Sequence, residues 1–334
     1  MADALTSILK KVLNQPTAPF HEYHVRRQIE QILLDVPNVE LSQDPFGNLL
    51  ATYRKGKRKQ DPVFVLGAHM DHPGFVKAHK KTDEWEFLGG MPEAVFTTDT
   101  AKKLMQINGE FASWNFDVTI EDGRIDAPAC DDLTCCAAIV AVIKELARLN
   151  LDATVHAAFT RAEEVGFLGA WHLGKHWPFG EKSVFISLEN SRPVNGAEIG
   201  NGPVIRVGDR LSVFDHEIVG ILMRTAAEQG IRVQRCLLDK GACEATAMQA
   251  CGIRSAGISI PLGNYHNLDD DENIVPEYVM MDDVKAMVNL LVALVGTEHS
   301  GLGERSIEER VALRTKEHKK HLEAGNARFA EFEV

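Results

Sequence analysis

None of the six cysteines (Cys130, Cys135, Cys136, Cys236, Cys243, Cys251) falls into a CxxC pair, which argues against a zinc ribbon. HExxH is absent as well, so a single-zinc site on one helix is excluded. The longest apolar run, "MVNLLVALVG" (287–296), is too short to span a bilayer. No basic stretch is interleaved with aromatics, and the formal net charge is −12. Nucleic acid and anionic membrane surfaces are therefore not expected as partners. A signal peptide would carry its lysines ahead of a continuous apolar stretch. In "MADALTSILKKVLNQP" the lysines sit mid-segment, and Leu5, Ile8, Leu9, Val12 and Leu13 are spaced for one helical face. Without a secretory signal the cysteines read as reduced, mostly buried thiols, and the expectation is a soluble cytoplasmic protein. Internal repeats and low-complexity tracts are missing too.

With 334 residues, 45% of them hydrophobic, the chain can bury a large core. Helical spacing of apolar residues predicts helices over 1–14 and along "TAPFHEYHVRRQIEQILLDV". "NVELSQDPFGNLLATYRKG" reads as a strand pair turning at Pro45–Gly47, and the basic "YRKGKRKQ" (53–60) as a hairpin loop. "PVFVLGAHMD" (62–71) is a buried strand that runs into polar residues. Residues 75–127 change character: "WEFLGG", "LMQINGEF" and "NFDVTIEDGRI" look like short strands joined by Gly and Asp turns, a small inserted β domain. Farther on, helices over 132–149, 168–177, 213–229, 243–251 and 276–297 alternate with strands over 153–159, 183–189, 231–237 and 255–260. Such alternation predicts an α/β/α sandwich around a largely parallel, mixed sheet. Its main domain is formed by 1–74 and 128–299. The charged, helical 300–334 reads as a solvated extension.

"TRAEEVGFLGA" (160–170) places two adjacent carboxylates, Glu163 and Glu164, where the apolar strand "ATVHAAF" ends. Like charges about 4 Å apart repel by roughly 1 kcal/mol in water and about 4 near a protein surface. Desolvation adds to that penalty, so a cation is the natural partner; a solvated loop is the plain alternative. Other strands end in the same way. After "FVLGA" come His69 and Asp71, after "VFISL" comes Glu189, and after "GISIPLGNY" comes His266. The pair Asp131–Asp132 precedes an apolar helix, where a lone aspartate would be a cap. Singly, each has an ordinary structural reading. Together they lie at the carboxyl edge of one sheet, where α/β proteins build their sites. Two histidines with three or more carboxylates form an N/O donor set suited to zinc, manganese or cobalt, and with HExxH absent they read as a dispersed, two-metal site.

"GAHMDHPGF", "PACDDLTCCA", "RAEEVGFLGA", "SLENS" and "IPLGNYHN" occur in this order, and together they resemble the ligand motifs of co-catalytic metallopeptidases. The most similar branch is the glutamyl/leucyl aminopeptidase family, whose members build tetrahedral particles. The likeness extends to "FGNLLATYRKG", "GNGPVIRVGD" and "KGACEATAMQACGIRSAGISIP" and so covers most of 5–297. The resemblance implies two divalent metal ions, zinc first, with cobalt or manganese as alternatives. His69 would hold one ion and His266 the other, Asp131 would bridge them, and Glu164 and Glu189 would each bind one. Glu163 would be the general base toward the attacking water, and Asp71 would orient the His69 imidazole. Arg206 and Glu244 would line the substrate site; for Arg206 the plain alternative is an ion pair with Asp209.

Departures from the family are Glu189, where its aminopeptidases usually carry aspartate, Cys243–Glu244 for Thr-Asp, and Asn264–Tyr265 for Arg-Tyr. The segment between His69 and Asp131 is also shorter than the family's. The implied function is an aminopeptidase acting on short peptides, assembled as a homo-oligomer. Three readings stand beside it: a carboxypeptidase or N-acyl-amino-acid deacylase, to which Glu189 points; a non-catalytic scaffold; and a metal-dependent phosphoesterase, for which no phosphate-cradling Gly loop is present.

Overall fold

The computed structural model describes residues 2–57, 60–78, 84–298 and 307–329. The chain opens with α1 (Ala2–Leu13), α2 (Tyr23–Leu33), β1 (Val39–Gln43), β2 (Leu49–Arg54) and β3 (Val63–His69). There follow β4 (Gly74–Lys77), β5 (Trp85–Leu88), α3 (Glu93–Phe96), α4 (Asp99–Leu104), β6 (Met105–Asn108), β7 (Phe111–Trp114), β8 (Thr119–Glu121) and β9 (Arg124–Ala127). The alternating part comprises α5 (Cys130–Leu149), β10 (Thr154–Thr160), α6 (Leu168–Lys175), β11 (Ser183–Ser191), β12 (Val204–Asp209), α7 (His216–Glu228), β13 (Gln234–Leu238), α8 (Glu244–Ala250) and β14 (Ser255–Pro261). It ends with β15 (Glu277–Met280) and α9 (Met281–Gly296), followed by α10 (Ile307–Glu317) and α11 (Lys319–Phe329), whose side chains from 311 on are almost all exposed.

Eight strands form the central sheet in the order β1-β2-β10-β3-β11-β14-β12-β13. The four in its middle, β10, β3, β11 and β14, are mutually parallel. On β3, Phe64, Leu66 and Ala68 join the larger core while Val65 joins the core of the opposite face, as the two-residue period of a strand requires. One face is covered by α1, α2, α5, α7 and α9, the other by α6 and α8. The fold is therefore an α/β/α sandwich on a mixed, largely parallel sheet. Helix α5 is buried continuously from Cys130 to Ile143, which explains why its sequence is apolar all round rather than on one stripe.

Three local expectations change. The basic segment after β2 is no hairpin, because β10 lies between β2 and β3 in the sheet; Arg58 and Lys59 fall outside the described residues. The helix expected over 276–297 begins only at Met281. Ahead of it Pro276 is followed by β15, which pairs antiparallel with β9 and alternates buried Glu277 and Val279 with half-buried Tyr278 and Met280. Within 75–127, the sheet β5-β4-β7-β6 shares its small core (Phe75, Met91, Trp114 among others) with the short helices α3 and α4, whereas β8 and β9 pair with β15 instead.

Candidate metal centre

Parallel β10, β3, β11 and β14 point their carboxyl ends to the same edge, and each delivers a site residue there. His69 is the last residue of β3, Glu189 lies near the end of β11, the Glu163–Glu164 pair follows β10, and His266 follows β14. Asp131 comes from the start of α5, where it and Asp132 have non-helical backbone angles. His69 Nε2 lies 3.4 Å from Asp131 Oδ1, 3.4 Å from Glu189 Oε1 and 3.8 Å from Glu163 Oε2. From the other side, His266 Nε2 lies 3.8 Å from Asp131 Oδ2 and 3.4 Å from Glu164 Oε2. The two oxygens of Asp131 thus face different histidines. Donor atoms of His69, Asp131 and Glu164, of His69, Glu163 and Glu189, and of Asp131, Asp132 and Glu189 each lie within 4.8 Å of one another.

These residues fit divalent ions on three counts. Ligands about 2.0–2.1 Å from a tetrahedral zinc stand about 3.4 Å apart, close to the 3.4–3.8 Å spacing around His69 and His266. Buried Asp131 Oδ1, Glu164 Oε1, Glu189 Oε2 and His266 Nε2 have no hydrogen-bond partner, and unpartnered buried polar atoms are costly. Finally, the charges are unbalanced. Burial, then the neighbouring Glu189, pushes Asp131 up to about 8, and burial holds Glu163 and Glu164 well above the carboxylate range. His69 behaves oppositely to His266. Burial alone would lower the His69 imidazole, but Glu163, Asp131, Asp71 and Glu189 outweigh it and hold it well above its ordinary value. His266, with less carboxylate around it, is pushed by burial to about 3.

Buried carboxylates also hold the backbone beneath the candidate ligands. Asp71 was expected to orient the His69 ring, but the Nδ1 contact is shorter to the Asp71 carbonyl (3.0 Å) than to its carboxylate (3.6 Å). The carboxylate also accepts the backbone N–H groups of Glu163 and Glu164 at 3.0 and 3.1 Å. Glu22 accepts the N–H of Ala162, whose φ is 55°, and pairs with Arg161 at 2.8 Å. His266 has a φ of 54°, a conformation costing a non-glycine residue on the order of 1–3 kcal/mol. It is held by Glu277, whose Oε1 accepts its N–H at 2.8 Å, and by the Gly90 carbonyl, 3.0 Å from its Nδ1. A Cβ at Gly90 would come within 2.9 Å of the His266 ring. His72 lies 2.5 Å from the Asp131 carbonyl and 2.8 Å from Asn267 Oδ1; burial pushes its imidazole to about 4.

Glu22, His72, Gly90, Arg161 and Glu277 escaped the sequence reading. His72 stood within the quoted "GAHMDHPGF", and Glu277 was hidden in an expected helix. A backbone carbonyl such as that of Gly90 leaves no mark in a sequence at all.

A cavity of about 430 Å³ opens onto this centre, lined by Asp131, Glu163, Glu164, Glu189 and His266 and also by Arg192, Arg206 and Lys240. Arg206 is 2% exposed. Its Nη1 reaches Ser191 and Ser259 at 3.4 and 3.3 Å, and its Nε has no partner. Among the described residues it pairs with no carboxylate, because Asp209 is occupied by the N–H groups of Leu211, Ser212 and Cys243 and by the Thr246 hydroxyl. Gly257 makes room for it, since a Cβ there would meet Arg206 Cδ at 3.1 Å. Glu244, also expected at the substrate site, lies off the cavity lining. It is 1% exposed at the first residue of α8, outside the cavity wall, where burial pushes it up to about 7.

Known proteins are similar to this chain over most of their length. A protein of Acetivibrio thermocellus named as an aminopeptidase is 25% identical over 337 residues, 86% of this chain and 97% of its own. The TET1 peptidase of Pyrococcus horikoshii, which can assemble into a tetrahedron or a large octahedral shell, is similar with a TM-score of 0.70 at 20% identity over 87% of this chain and 99% of that one. An aminopeptidase from the archaeon Desulfurococcus kamchatkensis gives a TM-score of 0.70 at 19% identity, covering 88% and 95%. The family described as M42 glutamyl aminopeptidase matches residues 93–290. The chain belongs to this family and is a metal-dependent aminopeptidase.

Proposed function

We propose that the protein removes acidic residues from the amino end of short peptides, and that it does so with two divalent ions. His69, Asp131 and Glu189 would hold one ion, and His266, Asp131 and Glu164 the other. Zinc suits the donor set best, with cobalt or manganese as alternatives. When bound, such ions supply Lewis acidity that lowers the pKa of water to about 7 and polarises the scissile carbonyl. Glu163 then takes the proton of the attacking water and passes it to the departing amine. Asp71 keeps Glu163 and Glu164 in register by anchoring both of their N–H groups.

Arg206 carries the specificity reading. Ser259 is the direct neighbour of Glu189 across β11 and β14, and Ser191 lies two residues farther along the same face. The guanidinium, bonded to both serines, therefore lies between the level of Glu189 and a point about 7 Å farther along the strand, within reach of a side-chain carboxylate of a substrate seated at the ions. A buried guanidinium facing a cavity without its own carboxylate is poised to take one from a ligand. Arg192 and Lys240 add positive charge to the same wall.

The test uses three substrates: a free peptide beginning with glutamate, the same peptide acetylated at its amino end, and an N-acyl glutamate. Release of the amino-terminal glutamate from the free peptide alone is expected. Trimming of the acetylated peptide from its carboxyl end would reassign the enzyme as a carboxypeptidase, and release of the acyl group would reassign it as a deacylase.

The proposal extends to organisation. Residues 1–74 and 128–299 would form the catalytic domain, 75–127 an insert that takes part in assembly, and 300–334 an extension. A cytoplasmic homo-oligomer is the expected form. This is supported by the assembly of the Pyrococcus horikoshii peptidase and by the finding that no helix of the described residues is long and apolar enough to cross a membrane.

A further inference from the structure

We propose that Glu277 is a positioning residue that sets the spacing between the two halves of the ion site; this rests on the two-ion reading above. Strand β15, which Glu277 begins, lies between the two segments that deliver Asp131 and His266. On one side Glu277 pairs with Ala127, four residues ahead of Asp131. On the other, Tyr278 and Gly263 exchange backbone hydrogen bonds of 2.9 and 3.2 Å, three residues ahead of His266. The side chain completes the junction. Oε2 accepts the Asp131 N–H at 2.9 Å and Oε1 accepts the His266 N–H at 2.8 Å.

Each oxygen therefore fixes one ligand-bearing loop, and the rigid width of one carboxylate fixes the two loops relative to each other. Glu277 is wholly buried and, among the described residues, forms no ion pair with a lysine or arginine. A buried carboxylate held only by neutral donors is expensive. Its position is understandable where cations occupy the adjoining centre, because outer groups that orient ligands tune ion affinity.

An internal control is available. Asp283 is also buried and accepts two backbone N–H groups, those of Gly200 and Gly202, at 2.8 and 2.7 Å, but neither belongs to a proposed ion ligand. Glu277→Gln replaces one acceptor oxygen by an NH2 that opposes an N–H; Asp283→Asn makes the same chemical change elsewhere. Dialysed wild-type protein and both variants are titrated with zinc in a calorimeter, and their melting temperatures are compared. The expected result is two ions per chain in the wild type and in Asp283→Asn. In Glu277→Gln the apparent affinity should be about 10- to 100-fold weaker, even where the two variants melt alike. Glu277→Asp keeps the charge but is one methylene too short to reach both loops, and is read in the same way should Glu277→Gln not fold. Unchanged zinc affinity in a folded Glu277 variant, or an equal loss in Asp283→Asn, would overturn the positioning role while leaving the two-ion reading intact. A wild-type chain that takes up no zinc would overturn both.

Discussion

Asp71 suspends Glu163 by its backbone: Oδ1 accepts the Glu163 N–H at 3.0 Å, while Oδ2 takes the N–H of the neighbouring Glu164 at 3.1 Å. One carboxylate thus fixes the proposed base and a proposed ligand together. Asp71→Asn replaces one acceptor oxygen with a donor and leaves one of these amides opposed. The expected outcome is kcat lower by roughly 10- to 100-fold with KM changed far less, by analogy with lost outer-shell contacts. Steady-state kinetics with metal analysis checks it; an unchanged kcat would remove Asp71 from the account.

Adjacent carboxylates have different jobs in this scheme. Glu163→Gln should retain both ions and lose about 10²- to 10⁴-fold in kcat, the usual worth of a general base. Glu164→Gln should weaken ion binding itself. Metal content after dialysis, measured beside turnover, separates them, and equal metal loss in both variants would contradict the division of roles.

Arg206→Met tests recognition of the acidic residue. A hydrogen bond to a charged group contributes about 1.5–3 kcal/mol, so kcat/KM for a glutamyl substrate should fall roughly 10- to 150-fold. A leucyl substrate lacks the carboxylate and should change by no more than a few-fold. Parallel losses on both substrates would show that Arg206 supports the cavity without selecting the substrate.

His156 predicts a pH dependence of stability remote from the ions. Its Nδ1 lies 2.8 Å from Thr52 Oγ1, it packs on Phe179, and burial pushes it to about 4. The imidazole is therefore neutral in the fold but binds a proton near pH 6.5 once unfolded. Between those values the unfolded chain holds more protons, so stability is fully present above pH 6.5 and falls as the pH drops toward 4. His156→Gln should lose about 2 kcal/mol less than the wild type between pH 7.5 and 5. Urea unfolding at the two pH values decides, and identical losses would refute it.

Much of this architecture was legible because its cause is local. Leu5, Ile8, Leu9, Val12 and Leu13 announced α1 by spacing and are all buried. The strands ending in His69, Glu163–Glu164, Glu189 and His266 announced themselves by apolar runs meeting charge. What escaped depends on long-range packing. "PEYVMMDD" carries acidic residues at a place suited to a helix start, yet Glu277 and its neighbours form a strand because β9 lies alongside to pair with them. Asp71 was assigned to His69, two residues away, and stays beside it, but nothing in the sequence signals that its carboxylate also serves a loop 92 residues away. Glu244 was read as lining the substrate site by resemblance; it lies at the first residue of α8, near the site's charges but not among the residues lining the cavity.

In the proposed centre Asp131 stands between two ions. Crystals of the zinc-loaded protein, measured at the zinc absorption edge, test it most directly. The account predicts two anomalous peaks about 3.5–4 Å apart, one beside His69 and Glu189 and the other beside His266 and Glu164, with Asp131 bonded to both. A single peak, or two peaks that do not share Asp131, would contradict it.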